Sequence, residues 1–316
     1  MTVRTLGVDV GGTKLAAGVV DDSGEVLTQI RKMTPAHDAA QARDRIIGVI
    51  KELRGLHEVT AVGIGAAGWI DATRSTIMFA PNISWRDEPL AREVSEAVGL
   101  PVLLENDGNT AAWAEFVFGA GQDSEDSMVL VTVGTGIGAG VIVNGRLLRG
   151  AHGVAGELGH TRAVAGGLRC RCGRSGCYEQ YASGSALVRY ARATATSDAD
   201  RARGLLDLVG GNPEAITGPL VTQAARAGCP ASIAAFEEAG QWLGPLLADI
   251  VQAFDPRALV LGGGVAEAGE LLLGPARRAY HEALSHRGRM PVAQLRSARL
   301  GNRAGLIGAA DLVRGL

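Results

Sequence analysis

The chain reads as an α/β protein built from two related lobes, and three observations predict it. Strand-like apolar segments alternate with helical periodicities along most of its 316 residues, the pattern of strands covered by helices. A strand, a glycine turn and a second strand near the N-terminus recur 123 positions later, with Val8 over Val131, Val10 over Val133, Gly11 over Gly134 and Ala16 over Ala139. Composition agrees: 47% of residues are apolar and 20% charged, as in a folded soluble chain long enough for two domains.

The elements follow in order. Leu6 to Val10 alternates as a strand, Gly11-Gly12-Thr13-Lys14 breaks it, and Leu15 to Val20 resumes before a turn at Asp21 to Gly24. Ala39 to Leu53 reads as a helix, Val59 to Ile64 as a buried strand and Glu88 to Ala97 as a helix. Val102 to Glu105 reads as a strand delivering Asn106-Asp107 to a helix over Thr110 to Phe118. The second copy of the plan runs through Met128 to Val133, the turn Gly134-Thr135-Gly136-Ile137-Gly138 and a strand over Ala139 to Val143. Asn144-Gly145 then predicts a type I′ hairpin turn. Helices are expected over Ser185 to Ala193, Pro219 to Arg226 and Ser232 to Phe254, with a flexible loop from Thr194 to Asp200. A strand over Ala258 to Leu261 leads into Gly262-Gly263-Gly264, and Ala304 to Val313 reads as a terminal helix returning to the first lobe.

A formal net charge of -2 gives no support to sequence-independent binding of nucleic acid, so a small-molecule partner is expected. The N-terminal residues carry no export pattern. The longest apolar stretch, Met128 to Val143, is Gly- and Thr-rich and too short to span a bilayer as a helix. Neither a membrane partner nor export is therefore expected. Three of the four cysteines fall within eight residues, which points to thiolates holding metal in a reducing, cytoplasmic compartment.

That cluster carries the sharpest chemistry. Cys170, Cys172 and Cys177 have C-x-C-x4-C spacing with His160 ten positions upstream, a set that suits a closed tetrahedral Zn2+ site. The alternative is three buried free thiols beside a structural histidine. Glu157 and Glu179 flank the cluster, either as surface carboxylates or as acceptors for sugar hydroxyls, and a zinc-bound His160 would offer its second ring nitrogen to the same ligand.

Three glycine turns follow strands, each either a plain tight turn or a place for backbone N–H groups to meet phosphate. Gly134-Thr135-Gly136-Ile137-Gly138-Ala139 formally contains G-x-G-x-x-A, but a hairpin follows where a dinucleotide fold needs a helix. No G-x-x-x-x-G-K-[ST] string is present. Asp9, ending the first strand beside Gly11-Gly12-Thr13, reads as a turn-forming residue or as a holder of hydrated Mg2+. Asp107 reads as an N-cap or as a proton acceptor near a transferring phosphoryl group. Trp69 and Trp85 read as core residues or as a wall of a sugar site near Gly68 and Asn82. Cys229, His37, His57, His152, His281 and His286 have no partner spacing and read as structural.

Together these residues resemble the ROK family of bacterial repressors, open reading frames and sugar kinases. Asp9 to Lys14 is similar to its first phosphate motif, Val131 to His160 to its signature segment, and Cys170 to Glu179 to its C-x-C-G-x-x-G-C-x-E zinc motif. The likeness extends to Gly305 through Ala310. It implies a two-lobed actin-like, hexokinase-like ATPase fold of the ribonuclease H-like class, with an active-site cleft between lobes that closes on sugar to exclude water. The lobes are expected at residues 1–109 with 298–316 and at 110–297.

The resemblance further implies Asp107 as the base on the sugar 6-hydroxyl, with Gly68, Asn82, Asn106, Asp107, Glu157, His160 and Glu179 holding the sugar. ATP would meet Gly11, Gly12, Thr13, Lys14, Gly134, Thr135, Gly136, Gly138, Gly262, Gly263 and Gly264, with Mg2+ at Asp9 through water and structural Zn2+ on His160, Cys170, Cys172 and Cys177. The residues most resemble those of bacterial glucokinases in that family, with mannose, fructose, N-acetylglucosamine or N-acetylmannosamine as alternative sugars. A homodimer or homotetramer is expected. A sugar-sensing regulator is the alternative class, but such relatives carry a DNA-binding domain ahead of the first motif, and here Asp9 leaves no room for one. A non-catalytic actin-like assembly protein is disfavoured by the zinc motif.

Overall fold

Alternation over Thr5–Val10 and Lys14–Val20 forms the first two strands, β1 and β2, paired antiparallel with Val10 opposite Leu15 across the glycine turn. The computed structural model describes residues 3–285 and 292–315, which leaves His286 outside. The chain divides into two compact units, one of Met1–Leu130, Ala139–Glu157 and Ala298–Leu316, the other of Val131–Gly138 and Leu158–Ser297.

In the first unit β3 (Val26–Met33) pairs with β2, then α1 (Ala39–Arg54) starts at Asp38, whose side chain accepts from the N–H of Gln41 at 2.9 Å. The next strand, β4, runs Val62–Ala66, later than expected, because its register against β1 sets Leu6 opposite Val62 and Val10 opposite Ala66. Three short strands, β5 (Trp69–Ile70), β6 (Ile77–Phe79) and β7 (Arg86–Glu88), form a small separate sheet. Glu88 therefore belongs to a strand, and α2 (Leu90–Val98) begins only after Pro89 and ends at Gly99 in the left-handed region. Strand β8 (Val102–Asn106) leads directly into α3 (Asp107–Phe118). The main sheet has the order β3-β2-β1-β4-β8.

One face of that sheet packs on α1 and α2 through Leu6, Val8, Val10, Ile46, Ile50 and Trp85, all essentially inaccessible to solvent. The other face receives the C-terminal helix. There a Cβ on Gly7 or Gly63 would lie 1.8 Å from the carbonyl oxygen of Leu306 or Ala309, so the helix backbone rests directly on the strands.

Strands β9 (Met128–Val133), β10 (Ile137–Val143) and β11 (Arg146–Leu147) repeat the opening plan. Asn144 and Gly145 both have positive φ (51° and 67°), as the type I′ expectation requires. The second unit continues through α4 (Glu179–Ala182), α5 (Gly184–Ser197), α6 (Arg203–Leu206), α7 (Gly218–Arg226), α8 (Pro230–Phe254), β12 (Ala258–Gly262), α9 (Glu270–Leu284) and β13 (Gln294–Ser297). Thr194 to Ser197 is helix where a loop was expected, with the hydroxyls of Thr194 and Thr196 donating back to the carbonyls of Tyr190 and Arg192. Helix α9 packs on α8, where Gly240 and Gly244 leave no room for a Cβ against Pro275 and Ala279. The closing helix is α10 (Ala304–Leu312).

The second sheet runs β11-β10-β9-β12-β13. Each sheet thus has the same order, counting its own strands along the chain: third, second, first, fourth, fifth. No helix among the described residues is long and apolar enough to cross a membrane.

Candidate functional site

In the first unit, Asp9, Gly65 and Glu105 stand in one row across three parallel strands, as do Val10, Ala66 and Asn106 one step on. Strand alternation turns Asp9 away from the apolar face of Val8 and Val10 toward the start of α10. A Cβ on Gly305 would lie 2.8 Å from its carboxyl carbon. Burial first, and then the charge of Asp107, push the Asp9 carboxyl up to about 7. Both acids keep some solvent contact, yet the surrounding protein removes enough hydration to disfavour the charged form.

The β8–α3 junction divides two tasks between adjacent residues. Asn106 is the N-cap of α3, its Oδ1 accepting from the N–H of Gly108 at 2.8 Å and of Asn109 at 3.2 Å, while its Nδ2 donates to the carbonyl of Gly68 at 3.0 Å. Asp107 is the first helical residue and is not the cap. Its Oδ1 accepts a local bond from the Gly108 N–H, 2.9 Å. Burial raises its carboxyl above the ordinary value, opposed in part by the backbone N–H groups of Gly108 and of Asp107 itself.

Gly68 is buried and bound to Asn106, whereas Asn82 is exposed and lies over the first glycine turn, where a Cβ on Gly12 would sit 2.9 Å from the Asn82 Cβ. Gly11 closes that turn by donating to the carbonyl of Lys14 at 3.0 Å, and Thr13 and Lys14 are exposed. Glu157 follows Gly156, which approaches Asn109 of α3 and the Ala139 carbonyl. Trp85 is fully buried in the core and Trp69 lies against Phe79 with ring centroids 5.2 Å apart. The core reading therefore holds for Trp85, and it forms no wall of a sugar site.

In the second unit, His160, Cys170, Cys172 and Cys177 bring their donor atoms within 4.8 Å of one another. The Sγ atoms of Cys172 and Cys177 are 3.7 Å apart, and the Cys170 Sγ lies 3.5 Å from His160 Nδ1. Tetrahedral Zn2+, with bonds near 2.3 Å to sulfur and 2.0–2.1 Å to nitrogen, requires separations of roughly 3.8 and 3.5 Å. The cluster fits the ion. Burial and then the neighbouring Cys172 and Cys170 push the Cys177 thiol up to about 12, the cost of crowding three sulfurs together that a divalent cation removes. For Mg2+ the first unit offers the Asp9 carboxylate, a hard oxygen donor of the kind that ion takes while keeping several waters.

Glu179, at the head of α4, links this cluster to the second glycine turn. Its Oε1 lies 3.5 Å from the Cys170 Sγ and its Oε2 accepts from the N–H of Ile137 at 3.1 Å. The turn is pinned on its other side, where Gly184 N–H donates to the Gly134 carbonyl and Ser185 Oγ to that of Thr135, both 2.8 Å. Gly263, at φ 87°, passes so close to Val133 that a Cβ would fall 2.6 Å from its carbonyl oxygen.

Within this unit lies a cavity of about 860 Å³, a size typical of small-molecule sites. Of the predicted phosphate residues, Gly134, Thr135 and Gly264 line it, while Gly136, Gly138, Gly262 and Gly263 do not. Gly11, Gly12, Thr13 and Lys14 belong to the first unit. Sequence reasoning missed Ser185, Pro219, Thr222 and Gln223 on its walls. For Ser185 and Pro219 the signal was present as helix starts, with the Ser183 side chain capping α5 and Pro219 in the first turn of α7.

The ROK family model matches residues 5–315. A glucokinase of Streptomyces coelicolor is 49% identical over 98% of this chain and 97% of its own. Among solved structures, the ROK family glucokinase of Streptomyces griseus in complex with glucose and AMPPNP superposes with TM-score 0.93 at 48% identity, covering 99% of this chain and 100% of its own. The ROK hexokinase of Thermus thermophilus does so with TM-score 0.81 at 37% identity, covering 99% and 100%. The chain belongs to the ROK family and has its hexokinase-like ATPase fold.

Proposed function

We propose that the protein transfers the γ-phosphoryl group of ATP to the 6-hydroxyl of glucose, with Asp107 as general base. The observation that carries this reading is the division at the β8–α3 junction. Asn106 satisfies the helix cap, which leaves the Asp107 carboxylate able to take a proton. Its raised affinity for protons brings it closer to the working pH, where a base is most effective. As O6 bonds to phosphorus, its proton passes to Asp107 and the bond to the β-γ bridging oxygen breaks, releasing ADP. The Streptomyces griseus glucokinase, solved with glucose and AMPPNP, supports glucose as acceptor and ATP as donor.

Asn106, Gly68, Asn82, Glu157, His160 and Glu179 complete the sugar set. Carboxylates of Glu157 and Glu179 accept from ring hydroxyls, and His160 meets the sugar through Nε2 because its Nδ1 faces the thiols. The second-unit cavity takes the nucleoside, with Gly134, Thr135 and Gly264 toward its phosphates. Gly11 to Lys14 and the remaining turn glycines contribute backbone N–H groups. Asp9 would hold Mg2+ through water, where the ion would neutralise phosphate charge, and His160, Cys170, Cys172 and Cys177 would hold Zn2+, which would fix the loop that carries Glu179. The cluster of reduced thiols supports a cytoplasmic location, and the same reading includes assembly as a homodimer or homotetramer.

The test is coupled ADP release with Mg-ATP against glucose, mannose, fructose, N-acetylglucosamine and N-acetylmannosamine. Glucose is expected to give the highest kcat/KM. Absence of turnover on every sugar despite sugar binding would instead favour a sensor.

A further inference from the structure

Glu105 is completely buried, and each of its carboxylate oxygens holds a different part of the first unit. Oε1 accepts from the backbone N–H of Asn106 at 3.0 Å and from Nδ2 of Asn109 at 2.9 Å, which clamps the junction bearing Asp107. Oε2 pairs with two cations, Arg149 Nε at 2.8 Å and Arg74 Nε at 3.1 Å. These are contacts of charge more than aligned hydrogen bonds, since neither Oε2 nor the Arg149 Nε has one.

Arg149 does more than neutralise. Its Nη1 and Nη2 donate to the carbonyls of Ala72 and Asp71, at 3.0 and 2.9 Å. Its own carbonyl accepts from the N–H of Ala155 at 3.0 Å, two residues before Glu157. Gly150, Gly153 and Gly156 in that loop all have positive φ, so the backbone there has little local preference. Anchors from outside decide where the loop lies. Gly153 supplies another, seated so tightly that a Cβ would be 2.4 Å from the Ile70 carbonyl oxygen.

We infer that Arg149 is a positioning residue for the phosphoryl acceptor, tying the Asp107 junction through Glu105 to the loop that carries Glu157. This rests on the assignment of Asp107 and Glu157 to the sugar. A hexose held at one end by Glu157 and deprotonated at the other by Asp107 senses the span between them, and a shift of about 1 Å costs roughly 10²-fold in rate.

The experiment is steady-state kinetics of Arg149→Met, Arg149→Lys and Asp107→Ala in the full-length protein, with melting temperature and zinc content recorded for each. Because Arg74 still faces Glu105, Arg149→Met keeps one counter-charge on the buried acid. It is expected to raise the glucose KM and lower kcat, together roughly 10²-fold in kcat/KM, with the ATP KM unchanged. Arg149→Lys restores charge but cannot span two carbonyls, so it should recover only part of the loss. Millimolar guanidinium should restore part of the Arg149→Met rate.

A fall in kcat with both KM values unchanged, or no response to guanidinium, would overturn the inference in favour of a purely structural role. If Arg149→Met does not fold, the KM split in Arg149→Lys and Glu105→Gln decides the matter in the same way. Near-normal turnover by Asp107→Ala would instead fault the site assignment, whatever Arg149 does.

Discussion

The Glu179 carboxylate accepts a hydrogen bond from the backbone N–H of Ile137 at 3.1 Å, joining the loop of the Cys3His cluster to the second glycine turn. A residue expected either as a surface carboxylate or as a sugar ligand is therefore also a support for the second glycine turn. Its other oxygen lies 3.5 Å from the Cys170 Sγ, so the Cys3His cluster, the carboxylate and the turn form one connected piece.

Removing the metal should disturb both substrates. Cys172→Ser is expected to lose stoichiometric zinc, lower the melting temperature and raise the KM for glucose and for ATP. Metal analysis with two-substrate kinetics checks this. Zinc retained at one per chain would contradict the ligand assignment.

The Asp9 carboxyl, raised to about 7 by burial and by Asp107, sets a pH dependence. Between its unfolded value near 3.9 and about 7, the folded protein binds more protons than the unfolded chain, so stability falls as pH rises through that window. Below the window both states are protonated and nothing is lost. Asp107, also raised, adds in the same direction. Denaturant melts from pH 4.5 to 7.5 should show the decline, and Asp9→Asn should flatten it. An unchanged slope in the variant would place the titration elsewhere.

Close backbone contact holds α10 on the first sheet. Gly63→Ala would force a Cβ to within 1.8 Å of the Ala309 carbonyl oxygen and should destabilise the protein by about 1–3 kcal/mol. Thermal unfolding measures this, and an unchanged midpoint would show that the helix can move off the strand without cost.

The division of labour between Asn106 and Asp107 has its own signature. Asn106→Ala removes a cap worth about 0.5–2 kcal/mol and releases the Gly68 contact, so both stability and kcat should drop. Asp107→Asn should lower kcat with stability kept or increased, since it removes a carboxylate whose charged form burial disfavours. Melting curves and initial rates on the two variants separate the roles.

Much of this was legible from local pattern. Asn144-Gly145 could close only a hairpin, the repeat at 123 residues became two sheets of one strand order, and the cysteine spacing became a cluster of tetrahedral dimensions. What escaped depends on contacts distant in sequence. Strand β13 carries Gln294–Ser297 with little apolar pattern and is defined by parallel pairing to β12. Helix α9 is interrupted in sequence by Pro275, the very residue that fits against Gly240. The N-cap reading of Asp107 gave way to Asn106 because the chain stays extended through Asn106 and turns helical at Asp107, one residue earlier in the helix than the local pattern shows. Glu105 and Arg149 could not be paired by reading, because they stand 44 positions apart and meet only through the fold.

The most direct test of the account is glucose-dependent ADP release by the wild-type protein and by Asp107→Ala, paired with calorimetric glucose binding to both. Loss of a general base costs about 10²–10⁴-fold, so the expected result is turnover on glucose that falls at least 10²-fold in the variant while glucose still binds. Turnover within a few-fold of wild type in Asp107→Ala would contradict the central claim that this carboxylate takes the proton.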